Sequence, residues 1–343
     1  MSVGMNSNTP GRATLSRTVV VCVLLLALLI IVLVVAAVIG SQSLPLASSL
    51  CALTGKSNCG LSSEERAILF DIRLPRILLA GVVGVCLATA GAGYQALLRN
   101  PLAEPYLLGV SNGAAVGTMT ALVFFGTHEW SRPVMAFAGA LTATFIVYRL
   151  ARGRAGTTPE RLILAGIIVT TFLSSAIVFL TTLMDATRIR SFTFWLLGDL
   201  SGTTSSLLSI ALIAAGIGVV TLVVKARALN LMMLGERDAF DLGVEVGRVR
   251  LIVFIAASLL VGASVASSGS VGYVGLVVPH LVRLSFGSDN RLVIAASALA
   301  GAAFVIIADT VARTIIAPRE LPVGAITALI GAPLFIYLLR KGR

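Results

Sequence analysis

Charge is scarce in this sequence. Asp, Glu, Lys and Arg make up 12% of its 343 residues, about half of the roughly 25% that a soluble domain carries. Apolar residues make up 57%, and the mean hydropathy is +1.00. Such a chain cannot cover a water-facing surface, so its solvent is largely lipid. A cytosolic enzyme and a disordered scaffold are excluded. The net charge of +11 points to no nucleic-acid partner, because basic residues of membrane proteins collect in cytoplasmic loops.

Histidine is also scarce. His128 and His280 are too few for a His-rich metal site, and His280 after Pro279 reads as a helix-end group. There is no HExxH and no GxSxG motif. Gly55-Lys56-Ser57 resembles the end of a phosphate loop, but Leu50 stands where that motif needs glycine. No catalytic residue, no metal site and no cofactor is expected in this chain. Of the four cysteines, Cys22 and Cys86 lie inside apolar runs. Cys51 and Cys59 share a polar loop. They form a disulfide if that loop faces an oxidising compartment, or remain two thiols too far apart to bridge.

What is abundant is long apolar runs. A membrane-crossing helix needs about 20 such residues. Ten candidate spans run near 18–40, 77–98, 106–126, 133–150, 160–184, 204–224, 251–268, 272–286, 291–309 and 322–340. The fold class is therefore an all-α integral membrane bundle. Residues 1–17 form a tail, and 18–343 form a single ten-helix domain. With both termini in the cytoplasm, most Lys and Arg fall inside, including Arg12, Arg149, Arg152, Arg154, Arg161, Arg248, Arg250 and Arg343. Arg99 also lies inside. Arg73, Arg76 and Arg313 lie outside, against the bias. The spans are almost free of charge, with Asp199 and Asp309 near helix ends, which leaves a proton or sodium pathway without support.

Several stretches interrupt the apolar pattern. Gln95, Arg99-Asn100-Pro101 and Leu108–Ala114 break a helix with prolines and glycines. They read as an interhelical turn or as a wall of a substrate path. In the inside loop, about 226–247, Gly235–Phe240 reads as a short amphipathic helix, with Leu234, Ala239, Phe240 and Leu242 apolar, Glu236, Asp238 and Asp241 acidic and Gly243 closing it. Its acidic face favours a protein groove over a lipid surface. Gly269, Gly272 and Gly275, spaced by three, suggest a smooth strip on one helix face.

These strings resemble the FecCD family, the permeases of binding-protein-dependent ABC importers for iron-siderophores, haem and cobalamin. The resemblance rests on RLPR (73–76), RNPLAEP…LLGVSNGA (99–114), LG…A…LGV (234–244), GYVGLVVPHLVRL (272–284) and AD…AR…ELPVG…GAP (308–333). Asn290 before Arg291, where the family often has His, is a mild departure. The resemblance implies a type II importer permease of ten spans in a bacterial plasma (inner) membrane. Its partners would be a second permease subunit, two cytoplasmic ATPases that hold ATP and Mg, and an extracytoplasmic substrate-binding protein. Arg73, Arg76 and Arg313 match positions that dock the binding protein. Leu234, Gly235, Glu236, Ala239, Leu242 and Gly243 match the segment coupled to the ATPase. Thr157 and Thr158 match a cytoplasmic gate, with Gln95, Asn100 and Pro101 beside the path. The first-choice cargo is an iron-siderophore, and haem or cobalamin is the alternative. A secondary transporter or channel would need intramembrane acids or a filter, and a membrane-embedded transferase would need a catalytic cluster in a large loop.

Overall fold

The computed structural model describes residues 15–40, 42, 44–56, 59–125, 130–153 and 156–341. Most of the expected tail, with Arg12, lies outside the described residues, as do His128, Arg154 and Arg343. The chain is a bundle of helices. They are α1 (Leu15–Val38), α2 (Leu46–Leu53), α3 (Ser63–Ala67), α4 (Leu74–Leu97), α5 (Val110–Thr120), α6 (Ser131–Ala151), α7 (Pro159–Thr181), α8 (Ala186–Leu196), α9 (Ser205–Leu234), α10 (Glu236–Asp241), α11 (Val246–Ser268), α12 (Val274–Phe286), α13 (Asn290–Thr314) and α14 (Val323–Lys341). A two-residue hairpin, β1 (Arg152–Gly153) with β2 (Gly156–Thr157), precedes α7. A π-helical turn, Ile68–Arg73, fuses α3 to α4.

Each expected span coincides with an apolar helix. Among the described residues, seven helices are long and apolar enough to cross a membrane. The other three of the ten, Val110–Phe125, Val274–Phe286 and Val323–Leu338, are shorter. The sixth helix differs from its expected bounds. It continues from 224 to Leu234, because Lys225–Leu234 holds neither Gly nor Pro and the first break is Gly235. Most of the supposed loop at 226–247 is therefore helix. The stretch after the fifth span contains α8, whose Arg188 and Arg190 keep it out of the apolar runs.

Helix ends are closed by side chains, as a low-dielectric solvent requires. Ser62 and Glu65 form a reciprocal capping box at α3. Thr158, Asp185, Thr204 and Asp289 cap α7, α8, α9 and α13. Cys51 and Cys59 are joined in a disulfide, with their Cα atoms 5.5 Å apart.

The helix at the centre is α4, buried along most of its length. It packs against α13, α11, α9 and α12. Its contact with α13 is backbone to backbone. A Cβ on Gly84 would run into the Gly301 carbonyl, and a Cβ on Gly301 into that of Gly84. Gly91 meets the Gly275 carbonyl of α12 in the same way. Small residues permit such approach where lipid supplies no hydrophobic drive between helices. The expected strip of Gly269, Gly272 and Gly275 does not exist as one helix face. Gly269 terminates α11 with φ +69°, residues 269–273 are irregular, and Gly275 alone lies in a helix.

Gly84→Val is expected to destabilise the detergent-solubilised protein by about 3 kcal/mol, the upper range for overpacking. Gly216→Ala, on an open face of α9 where a Cβ meets nothing, should leave stability unchanged or slightly raised. Melting temperatures of the two variants check the contrast.

Candidate functional site

Polar chemistry gathers at the two ends of α4. At its N-terminal end, Arg73 closes the π-helical turn and Arg76 opens α4, while Arg313 lies in the last turn of α13. The three are only 4%, 7% and 5% exposed. Arg73 donates to the carbonyls of Ala37 (3.1 Å) and Val38 (3.0 Å) and to that of Gln42. It thereby supplies a cation and donors where α1 leaves carbonyls unpaired. Arg76 pairs with Asp309 at 3.0 Å and with Glu320 at 2.7 Å. Arg313 Nε lies 3.0 Å from Asp309 Oδ2, an ion pair whose alignment falls short of a hydrogen bond.

These are the three arginines expected to dock a binding protein. The guanidinium groups are largely committed within the chain. They line, with Gln42, Ile72 and Glu320, a pocket of about 340 Å³. In the cluster beside it three cations face two carboxylates, Asp309 and Glu320, leaving one positive charge in excess. Sequence reasoning missed Asp309 and Glu320 as partners, since they lie 233 and 244 residues from Arg76.

At the opposite end, Gly235 breaks α9 from α10 with φ +151°, a conformation that favours glycine. Leu234, Phe240 and Leu242 are 72%, 70% and 63% exposed, forming an unpartnered apolar face. Ala239 is fully buried against its own bundle, which corrects its assignment to a partner-facing surface. Phe240 is the outward-facing residue instead. Glu236 points back into the chain. Its Oε1 accepts from Arg99 at 3.3 Å and from Arg250. Arg250, on α11 and 4% exposed, also donates to the carbonyl of Thr157, which is itself buried. In the sequence Arg250 registers only as an orientation charge, and Arg99 only as one and as part of the broken stretch at 99–101.

The residues expected near a path separate into two groups. Gln95 is buried and donates to the Leu276 carbonyl at 3.2 Å. It holds α4 to α12 rather than lining an opening, which corrects its assignment to the path. Asn100 Oδ1 accepts from the Leu102 N–H at 2.9 Å, shaping a turn in which Pro101 and Leu102 are exposed. Thr158 caps α7 through the Arg161 N–H. Two interrupted stretches meet in mid-bundle. The Tyr106 hydroxyl donates to the Val271 carbonyl and accepts from the Val271 N–H, and Glu104 accepts from the Tyr273 N–H. Irregular backbone at membrane depth is tolerated where protein satisfies it in this way.

Comparison with known proteins covers nearly the whole chain. The profile of the FecCD transport family matches residues 28–341. A cobalamin import system permease protein, BtuC, of Halobacterium salinarum is 41% identical over 300 residues, covering 88% of this chain and 80% of that protein. The hemin transport system permease protein HmuU of Yersinia pestis is 42% identical over 284 residues, covering 80% and 84%. A solved structure described as an inward-facing conformation of a metal-chelate-type ABC transporter superposes with a TM-score of 0.82 at 31% identity. It covers 94% of this chain and 99% of that one.

The ion cluster at the arginine end generates a graded expectation. Asp309→Asn leaves two buried guanidinium groups without their shared anion and should cost about 3 kcal/mol or more. Glu320→Gln removes a partner that is 43% exposed and should cost at most about 1 kcal/mol. Thermal unfolding of the purified variants measures both.

Proposed function

Because the chain belongs to the FecCD transport family and is a permease of a type II ABC importer, we propose that it carries a bulky metal chelate, with an iron-siderophore as the first-choice cargo, into the cytoplasm by alternating access. The observation that carries this reading is the match over nearly the full length to a transporter described as of metal-chelate type. Nearly charge-free spans support it, since a weakly polar wall binds a large chelate loosely enough to release it. Haem and cobalamin are the second reading, favoured by the names of the hemin and cobalamin permeases among the relatives.

In this reading two permease subunits enclose the path in the plasma membrane. The α10 end faces the cytoplasm, as the greater share of Lys and Arg in its flanking loops favours. Leu234, Phe240 and Leu242 enter a groove of the ATPase, which holds ATP and Mg. At the other end, carboxylates of the substrate-binding protein compete for the excess positive charge of Arg73, Arg76 and Arg313. Glu320, the exposed partner, is the one they displace. Charge-assisted bidentate pairing suits arginine to that exchange.

Reconstitution of the chain with its ATPase and binding protein into vesicles tests the cargo. ATP-dependent accumulation of an iron-siderophore, saturable through the binding protein, is expected. Accumulation of hemin or cobalamin with no siderophore uptake overturns the cargo and leaves the permease assignment standing. Uptake by the isolated chain without ATP overturns both.

A further inference from the structure

One carboxylate oxygen at the start of α10 gathers two arginines from separate parts of the fold. Arg99 reaches it from the turn after α4, and Arg250 reaches it from the first turn of α11. Arg99 adopts φ +48°, a left-handed conformation uncommon outside glycine, immediately before Asn100-Pro101. Such outliers persist only where the surroundings hold them. Arg250 uses its second terminal nitrogen on the Thr157 carbonyl, in the hairpin strand leading into α7. Its Nε is buried without a partner. A chain of contacts therefore runs from α10 through Glu236 and Arg250 to Thr157, with a weaker branch through Arg99 to the Asn100-Pro101 turn.

The two branches differ in stiffness. The Arg99 side chain is 39% exposed, so water can replace its contact at little cost. The Arg250 side chain is 5% exposed. Breaking its pair with Glu236 leaves a guanidinium buried and uncompensated, which is strongly unfavourable. Gly235 joins α10 to α9 through a backbone that other residues rarely adopt. A load on α10 can therefore turn it about Gly235, while the Glu236–Arg250 pair resists parting.

We propose that Glu236 and Arg250 are positioning residues that transmit displacement of α10 to the backbone at Thr157, so that the ATPase cycle moves the α6–α7 turn through this pair. The proposal rests on the reading of α10 as the ATPase contact. It adds a specific route within the chain, and it makes Arg99 an auxiliary branch.

The test uses the full importer, permease with ATPase and binding protein, in vesicles. Glu236→Gln and Arg250→Gln should each raise the ATP hydrolysed per cargo imported by about tenfold, a typical coupling between sites. The double variant should be no worse than either single one, because both interrupt the same route. Arg99→Gln should change the ratio by about twofold or less. A thiol probe at Thr158→Cys should change its labelling rate on ATP addition in the otherwise native protein and should lose that response with Arg250→Gln while hydrolysis continues. If Arg250→Gln fails to assemble, Arg250→Lys replaces it. Lysine keeps the charge but lacks the planar fork that serves two acceptors, so the labelling response should again be lost. Phe240→Asp separates this proposal from the reading beneath it. Retention of the ATPase by Phe240→Asp overturns the reading of α10. Loss of the ATPase by Phe240→Asp, together with native coupling and native labelling in the Glu236 and Arg250 variants, overturns the relay alone. Additive effects in the double variant also overturn it.

Discussion

Close backbone approach between helices, permitted by glycine, sets the rest of the structure. Lipid offers helices no hydrophobic reason to associate, so packing must hold them. Here α4 lies against α13 at Gly84 and Gly301, and against α12 at Gly91 and Gly275. No side chain fits between these backbones. The result is a central rod of 24 residues, about 36 Å long, enclosed by the other helices. Both polar ends of the molecule are built on this one rod. Arg76 begins it, and Arg99 follows directly after it.

The two ends differ in how their charges are used. At the arginine end, buried cations are matched by Asp309 and Glu320, and Arg73 satisfies the carbonyls that end α1. The cluster thus fixes α1, α4 and α13 to one another, and one cation remains in excess beside an open pocket. At the α10 end, Leu234, Phe240 and Leu242 are turned out and Glu236 is turned in. A short helix with that arrangement offers one face to a partner and holds its own chain with the other. Under the proposed function, these are the two surfaces assigned to other subunits.

The apolar runs and the long motifs were legible because hydropathy and local order are one-dimensional. The extra length of α9 was legible in principle, since nothing in Lys225–Leu234 interrupts a helix before Gly235. Pairing was not legible. Arg76 finds Asp309 across 233 positions, and no local pattern announces it. Facing was not legible either. In a six-residue helix with Ala239 beside Phe240, periodicity cannot say which one turns outward, and the structure buries the alanine. The Gly269–Gly275 spacing suggested a continuous helix face only because the irregular backbone at 269–273, held by Tyr106 and Glu104, leaves no period of its own.

In the proposed importer the two ends of the α4 rod meet different partners. Cysteine cross-linking in the assembled importer separates them, with Phe240→Cys at one end and Glu320→Cys at the other. Position 240 is expected to cross-link to the ATPase and position 320 to the substrate-binding protein, while Ala239→Cys cross-links to neither. Cross-linking of position 240 to the binding protein, or of both positions to one partner, would contradict this arrangement.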